Sequence, residues 1–278
     1  MLRFYSYRIN LLTQNNLFAG IEPKETTFQK VIDDLREKNK DTFIARNSKF
    51  ILFFYKELMP NVYALELARE ETFKIPIEGE TKIEEVPVVN TPFVYVIIDT
   101  KRQIILMQEK TSVFQDVEVS IARLKLYFEN KLIPNFITPA IQPITDNAQF
   151  WDEIEGADIT EFDITLEAPN LFKGRQKAED LVEEIHEEFN ITEVEIKLRN
   201  KLGKLKLLYE NAKNFVSLAA SGAGKYVLRG FKNGKELIIK SYQYIKKKRY
   251  DVEDPEQINR GELESDLKEL DKLNEDNK

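Results

Sequence analysis

The sequence contains no cysteine and only one histidine, His186, among its 278 residues. Without cysteine, the chain can form no disulfide, no thiol nucleophile and no thiolate metal site. A single histidine cannot by itself complete a zinc site or a nucleophile–base pair, so we interpret His186 as a surface residue. We therefore expect no catalytic centre, no metal site and no cofactor.

Long apolar runs are also missing from the chain. No stretch approaches 18 consecutive apolar residues, so neither a membrane-spanning helix nor direct membrane insertion is expected. Residues 1–12 alternate polar and apolar side chains and lack the continuous apolar region of a secretory signal peptide. We expect a cytoplasmic protein. Its 42% of hydrophobic residues is enough to bury a core.

The hydrophobic periodicity predicts an α+β fold in two parts, with antiparallel sheets and flanking helices in each half. We predict an N-terminal α+β domain over residues 1–133 and a proline-containing linker over 134–144. A C-terminal α+β domain with basic hairpins follows over 145–250, and residues 251–278 form an acidic, largely flexible tail. Three prolines mark the linker: Pro134, Pro139 and Pro143.

Periodicity also predicts individual elements. Segments 93–98 and 103–107 form a hairpin, and an amphipathic helix extends over 112–130. Residues 78–90 are acidic and predict a long surface loop. A second amphipathic helix is expected over 174–189.

Two further hairpins are predicted near the C-terminus. The first pairs residues 192–199 with 204–209, and the second pairs 226–231 with 235–241. Asn233-Gly234 connects the second pair, and Asn-Gly favours a type I′ turn because both central residues need positive φ.

A dense cationic block is the most informative feature present. Residues 197–250 carry 15 Lys or Arg and only two acids, although the formal net charge of the chain is −7. Self-repulsion destabilises such a block, and a polyanion would offset it. Nucleic acid, most simply duplex DNA read without strong sequence preference, is the partner we favour. A solvated lysine-rich sheet face and membrane phosphates are the alternatives.

Apolar and charged residues alternate along the first predicted hairpin, which gives it one apolar face and one face of nearly uniform positive charge. Like charges on facing strands repel each other, so the charged face needs a counter-charge. Tyr242, Tyr244 and Tyr250 are candidates for stacking on bases or for packing on the sheet. The predicted nucleic-acid-binding residues are Lys197, Arg199, Lys201, Lys204, Lys206, Lys225, Arg229, Lys232, Lys235, Lys240, Lys246, Lys247, Lys248 and Arg249.

Two other motifs offer alternatives. Glu195-Ile196-Lys197 matches the E-x-K half of a metal-dependent nuclease site, with Asp163 or Asp180 as second carboxylate. Residues 219–225, AASGAGK, are similar to a phosphate loop, but the spacing differs and a tyrosine follows the lysine, so a turn is favoured. A third alternative is a protein-interaction module whose basic face docks an acidic protein.

The second half also carries a recognisable order of motifs: I-x-E-F-D-I-T-L at 159–166, an amphipathic helix, E-I-x-L-R at 195–199, a glycine-marked hairpin and S-G-x-G-K at 221–225. This order resembles the RexA-type phage-exclusion proteins and, more distantly, the DNA-binding B component of Kiwa-type bacterial defence. The resemblance covers about residues 145–240, together with an N-terminal sheet region of similar length.

The resemblance implies a non-enzymatic, DNA-binding homodimer that acts as a sensor in phage exclusion or antiviral defence and activates a membrane-protein partner. It supports as DNA-binding positions the following basic residues: Lys197, Arg199, Lys204, Lys206 and Arg229. The acidic tail departs from the pattern, and we expect it to compete with DNA for the basic face because it follows the Lys246–Arg249 run directly.

Overall fold

A computed structural model of the chain describes residues 1–13, 22–78, 82–167, 191–207 and 210–272. The predicted α+β class with antiparallel sheets is confirmed. The elements of the first half are β1 (Leu2–Thr13), α1 (Lys24–Lys38), β2 (Lys40–Ala45), β3 (Ser48–Met59), β4 (Val62–Arg69), β5 (Glu71–Glu78), β6 (Ile83–Asn90), β7 (Phe93–Asp99), β8 (Ile104–Gln108), α2 (Val117–Leu132) and β9 (Ile137–Pro143). Those of the second half are α3 (Asn147–Ile154), β10 (Asp158–Glu167), β11 (Glu193–Arg199), α4 (Glu210–Leu218), β12 (Gly224–Lys232), β13 (Lys235–Lys240), β14 (Lys247–Tyr250) and α5 (Arg260–Lys272).

An eight-stranded sheet forms the larger part, in the order β14-β1-β8-β7-β4-β3-β2, and β9 pairs with the second half of β1. Side chains alternate between its two faces, as in any strand. Tyr7 and Ile9 of β1 lie on the face that packs against α1 and α2. Leu2 and Phe4 lie on the other face, against α5. The sheet is therefore covered by helices on both sides.

A four-stranded sheet, in the order β11-β10-β12-β13, forms the smaller part. Its buried face packs against α3 and α4 through Phe150 and Val216. The chain enters this part after β9 and returns to the large sheet at β14. The outgoing and returning segments pair with each other between the two parts, where the Lys246 amide donates to the Ile144 carbonyl at 2.8 Å. The smaller part is thus an insertion in the larger one, joined by a two-stranded neck.

The predicted linker over 134–144 is wrong, because most of it is β9. Pro139 and Pro143 lie opposite Leu11 and Tyr7 of β1, the only strand with which β9 pairs within the described residues. Proline is tolerated on such an edge strand because its missing N–H points away from the partner. The chain passes between the two parts at residues 144–146 and 244–246 instead.

The interpretation of 251–278 as a largely flexible tail is also wrong for the described residues. Helix α5 buries Leu263, Leu267 and Leu270 at 1%, 0% and 0% exposure. These leucines recur at i, i+4 and i+7, the spacing of one helix face, and cover the large sheet around Phe4. Residues 273–278 lie outside the described ranges.

Two predicted segments have different structures. Residues 78–90 belong mainly to the hairpin of β5 and β6 rather than to a loop. The predicted hairpin of 192–199 with 204–209 is wrong for the described residues, since β11 pairs with β10 and residues 204–207 do not pair with β11. After β11 the chain turns and Lys204 forms a parallel bridge with Ile159.

Other element predictions are confirmed. Strands β7 and β8 form the predicted hairpin. Strands β12 and β13 are joined through Asn233 and Gly234, with φ of 54° and 74° as a type I′ turn requires. Helix α2 begins later than predicted because the Asp116 carboxylate caps it, accepting from the Val119 amide. The predicted helix over 174–189, with His186 and Asp180, lies outside the described residues.

Arg8 of β1 is fully buried where the two parts meet. Its Nε donates to the Ser221 carbonyl at 2.7 Å and its Nη1 to the Arg102 carbonyl at 2.9 Å. Its Nη2 donates to the Leu270 carbonyl at 3.2 Å, and its Nη1 lies 3.4 Å from the Asp271 carboxylate. Burial lowers the pKa of Arg8 to about 10, so its charge persists at neutral pH.

We expect Arg8→Leu to destabilise the protein by about 3–5 kcal/mol, because it leaves several buried carbonyls without a donor and Asp271 without its cation. Urea unfolding at pH 7 measures the change in free energy. Arg260→Leu, an exposed arginine with no ion pair to another described residue, is the matched control and should change stability by less than about 0.5 kcal/mol. Equal effects of the two substitutions would contradict a special role for Arg8.

Candidate nucleic-acid interface

The predicted basic residues do not form one continuous positive face. Strand β10 runs between β11 and β12 and contributes Glu161 and Asp163 to the exposed face of the small sheet, here called the outer face. The strand register places Arg199 and Arg229 on either side of Glu161, and Lys197 beside Asp163. The counter-charge that the alternation of β11 requires is therefore supplied by β10.

These neighbours form a network of ion pairs. Arg199 Nε lies 2.7 Å from Glu161, and Arg229 also pairs with Glu161. Lys197 Nζ lies 3.0 Å from Asp163, and Arg229 Nη1 lies 3.4 Å from the same carboxylate. Burial alone would raise the pKa of Glu161, but the hydrogen bond and charge of Arg199 and the charge of Arg229 lower it. The prediction of a nearly uniform positive face is wrong because it assigned β11 the wrong partner.

The basic run at β14 is divided between two faces. Lys248 Nζ lies 2.8 Å from Asp266 and 2.6 Å from Glu269 of α5, and Lys246 lies 3.2 Å from Glu269. Lys247 instead lies over the ring of Tyr5, 4.6 Å from its centre. The acids of α5 therefore pair with part of the basic run, from within a packed helix.

Nine of the predicted cations form no ion pair with another described residue. They lie beyond ion-pair distance of every described carboxylate, although Lys232 Nζ donates to the Glu153 carbonyl at 2.8 Å and the charges of Lys225 and Lys247 act on Glu167 and Glu109. They are Lys201, Lys204, Lys206, Lys225, Lys232, Lys235, Lys240, Lys247 and Arg249.

Five of these lysines belong to one end of the small sheet, where β10 begins and β12 ends. We call this set the lysine edge, and it consists of Lys201, Lys204, Lys206, Lys232 and Lys235. Lys204 bridges Ile159 at the start of β10, and Asp158 beside it lies opposite Phe231 of β12. Lys232 lies opposite Lys235. An ideal Cβ at Gly203 would lie 3.2 Å from the Asp158 Cβ, which confirms how closely the turn after β11 approaches this end.

Aromatic groups accompany the lysine edge. Phe231 is 49% exposed. A pocket of about 660 Å³ is lined by residues that include Trp151, Leu205 and Lys206, together with the acids Asp152 and Glu155. Neither residue was among the predicted binding residues. Phe231 lies in β12 directly before Lys232, so its place within the cationic block was the available signal, whereas Trp151 lies in α3, far from that block in sequence.

The predicted stacking tyrosines are mostly structural. Tyr244 and Tyr250 are buried, and the Tyr250 hydroxyl donates to Asp266 at 2.8 Å. Burial and this hydrogen bond raise the pKa of Tyr250. Tyr242 is exposed, with the Lys240 ammonium 5.6 Å from its ring centre. Only Tyr242 remains available to a ligand.

The glycine-rich segment 219–225 anchors the small part to the large sheet. Residues 219–223 form a π-helical turn, and Gly222 has φ of 95°. An added Cβ at Gly222 would lie 2.5 Å from the Arg8 Cβ, so only glycine fits. Asn10 donates to the Gly222 carbonyl at 2.8 Å. The backbone of Ser221 and Gly222 is therefore buried and faces β1 rather than a phosphate.

The E-x-K residues lie on the outer face beside Asp163. Glu195 is exposed and opposite Thr165, and Lys197 is directly opposite Asp163. Among the described residues, no group of three or more His, Cys, Asp or Glu side chains is placed to hold a metal ion. Asp180, the other suggested carboxylate, lies outside the described ranges.

No protein-family model, curated protein or solved structure matches this chain. None of the helices in the described ranges has the length and apolar character needed to cross a membrane.

We expect Glu161→Gln to increase affinity for duplex DNA, because it releases Arg199 and leaves Arg229 paired only with Asp163. The dependence of affinity on salt should also steepen by about one phosphate contact. Fluorescence anisotropy with a labelled duplex at several salt concentrations measures both effects. Glu37→Gln removes the same charge from an exposed carboxylate of α1, in the large part, that has no ion pair within the described chain, and serves as control. Equal gains in the two variants would contradict the release of Arg199.

Proposed function

We propose that the protein binds nucleic acid, most simply duplex DNA, through the lysine edge and without strong sequence preference. The observation that carries this proposal is the gathering of five lysines, none paired with a described carboxylate, at one end of the small sheet. Residues 200–207 contain three of these lysines and no acid. Phosphate is the ligand that such an arrangement favours.

The chemistry of the lysine edge supports phosphate contacts rather than base reading. Lysine is a compact point charge on a flexible stem, whereas base recognition typically uses the planar fork of arginine or the amides of Asn and Gln. Arginine is present on the outer face, but Arg199 and Arg229 form ion pairs with Glu161, as Lys197 does with Asp163. Exposed Phe231 offers a stacking surface for an unpaired base or a sugar.

The biological setting of this binding is proposed on the resemblance to RexA-type and Kiwa-type proteins alone. On that basis the protein is a cytoplasmic, homodimeric sensor in phage exclusion or antiviral defence that acts on a membrane-protein partner. Binding of DNA in the cytoplasm is consistent with this setting.

Five phosphate contacts predict that affinity for duplex DNA falls about 500-fold between 50 and 200 mM salt. We expect Lys204→Ala combined with Lys206→Ala to lower affinity at 50 mM salt and to reduce the salt slope by about two contacts, similarly on unrelated sequences. Anisotropy titrations measure both quantities.

The control for this pair is Lys38→Ala combined with Lys82→Ala, which removes two exposed lysines of the large part and the same net charge. It should leave the salt slope unchanged. Absence of binding at 50 mM salt, or a slope that does not respond to Lys204 and Lys206, would refute the proposal.

A metal-dependent nuclease is the second candidate, because Glu195, Lys197 and Asp163 share the outer face of two adjacent strands. The engagement of Asp163 by Lys197 and Arg229 argues against it, since a metal would have to displace both cations. We expect linear, nicked and single-stranded DNA to stay intact with Mg²⁺ or Mn²⁺. Cleavage that disappears in Glu195→Ala, but not in Glu193→Ala on the same strand, would establish the nuclease instead.

A further inference from the structure

The pocket beside the lysine edge is mostly apolar, and phosphate binding alone does not explain such a lining. Its wall includes Trp151 and Ile154 of α3, Ile159 of β10 and Leu205. Its volume of about 660 Å³ lies within the range of small-molecule sites, roughly 300–1,000 Å³. A hydrated phosphate gains nothing from an apolar wall, whereas a flat ring gains from it because burial removes the ring from water.

Trp151 provides the aromatic surface of this pocket. The side chain is half-buried, and its ring packs edge-on against Phe150 with the ring centres 4.8 Å apart. Phe150 is fully buried in the core of the small part, so the indole is held in place. A nucleobase stacks on an aromatic side chain whatever its identity, since every base has a flat π face.

Hydrogen bonds connect the pocket to the lysine edge. Lys206 belongs to both, and the Leu205 amide donates to the Ile159 carbonyl at 3.1 Å. Lys232 Nζ donates to the Glu153 carbonyl at 2.8 Å, which ties α3, the helix that carries the indole, to the end of β12. A nucleic acid whose phosphates contact these lysines therefore brings its bases close to the pocket.

Two carboxylates on the lining, Asp152 and Glu155, favour a base over a phosphate as the occupant. Neither forms an ion pair with another described residue. Carboxylates repel phosphate, but they accept hydrogen bonds from an exocyclic amino group such as that of cytosine, which thymine lacks. The lysine edge and these acids together suit a nucleotide whose phosphate stays outside the pocket and whose amino-bearing base enters it.

The turn of the lysine edge also presents an apolar side chain. Leu202 is 82% exposed between Lys201 and Lys204. Its amide donates to Asn200 Oδ1 at 3.0 Å, and the Gly203 amide donates to the Asn200 carbonyl at 3.0 Å, so the turn has a defined conformation. An apolar side chain among basic residues can insert beside an unstacked base, whereas it gains nothing from phosphate.

We propose that this pocket binds one unpaired nucleobase that carries an exocyclic amino group, stacked on Trp151, while the lysine edge holds the neighbouring phosphates. DNA with a bulged or single-stranded nucleotide accordingly binds more tightly than an intact duplex, because an intact duplex must first lose a stacked base pair. This inference rests on the proposed binding of nucleic acid and specifies which feature of the nucleic acid is recognised.

Anisotropy titrations at one salt concentration compare an intact duplex with the same duplex carrying one bulged cytosine. Stacking of the extra base should raise affinity about tenfold. Trp151→Ala should bring the ratio of the two affinities close to one. Phe73→Ala removes an aromatic ring that is 44% exposed on the β5–β6 hairpin of the large part, and as control it should keep the ratio. A ratio near one in the unchanged protein, or a preference that survives Trp151→Ala, would overturn the proposal.

A bulged thymine in place of cytosine tests the carboxylates. It should bind more weakly than the cytosine bulge, and Asp152→Asn combined with Glu155→Gln should remove the difference. Loss of two negative charges also strengthens binding to every DNA, so the ratio of the two bulges is the quantity to compare. Asp34→Asn combined with Glu37→Gln makes the same changes at the same spacing on exposed positions of α1 and should keep the ratio. Equal binding of both bulges by the unchanged protein would contradict recognition of an amino group.

Trp151 is the only tryptophan of the chain, so its fluorescence reports on the pocket directly. Deoxycytidine, which has no phosphate, should quench this emission more than thymidine does, and the bulged duplex should quench it more than the intact duplex.

The combined results separate the pocket from the proposed function. If the intact duplex binds with the expected salt slope, but neither deoxycytidine nor the bulge changes the emission or the affinity, the lysine edge binds DNA and the pocket proposal is refuted. If deoxycytidine quenches Trp151 but no DNA binds at about 50 mM salt, the pocket is retained and the proposed function fails.

Discussion

A buried arginine is the constraint on which the two parts of this protein depend. The guanidinium of Arg8 lies on the face of β1 that also carries Leu2 and Phe4, in surroundings where an unpaired charge costs several kcal/mol. Its donors are satisfied by backbone carbonyls from the turn after β7, the end of α5 and the π-helical turn of the small part. The carbonyls at the end of α5 carry the negative end of the helix dipole, which favours a cation there. Three segments distant in sequence must therefore meet at one side chain.

This constraint explains why the glycine-rich segment and the acidic end of the chain have structural roles. Gly222 approaches β1 so closely that any side chain would collide with Arg8. Asp271 lies against the guanidinium, and burial raises the pKa of this carboxyl in opposition to the charge of Arg8, which lowers it. The acids that pair with Lys246 and Lys248, Asp266 and Glu269, belong to the same helix, α5. Features that resemble a phosphate loop and an autoinhibitory tail are thus parts of one packed junction.

Periodicity was sufficient to predict the elements whose pattern is strictly local. The helix α2, the β7–β8 hairpin and the Asn233-Gly234 turn all follow from apolar spacing or from turn chemistry within a few residues. Pairing over long distances was not predictable, because alternation identifies the faces of a strand but not its neighbour. The sequence prediction paired β11 with residues 204–209, whereas β11 pairs with β10. The predicted basic face therefore lacked Glu161 and Asp163, and its positive charge was overestimated. The special role of Arg8 had only a weak signal in the sequence. Arg8 is a charged residue on the same face of β1 as the apolar residues Leu2 and Phe4.

The order in which the chain is made has a consequence for how it folds. The first strand, β1, pairs with β14 near the other end of the described chain, and α5 covers the same face after that. A nascent chain emerging from the ribosome therefore cannot complete the large sheet until β14 has been synthesised, whereas the small part has all its described strands earlier. During that interval the surface around Leu2 and Phe4 stays open to water and to other chains. Slow synthesis, or loss of the last twenty residues of the described chain, would thus expose a sheet face that is prone to aggregation.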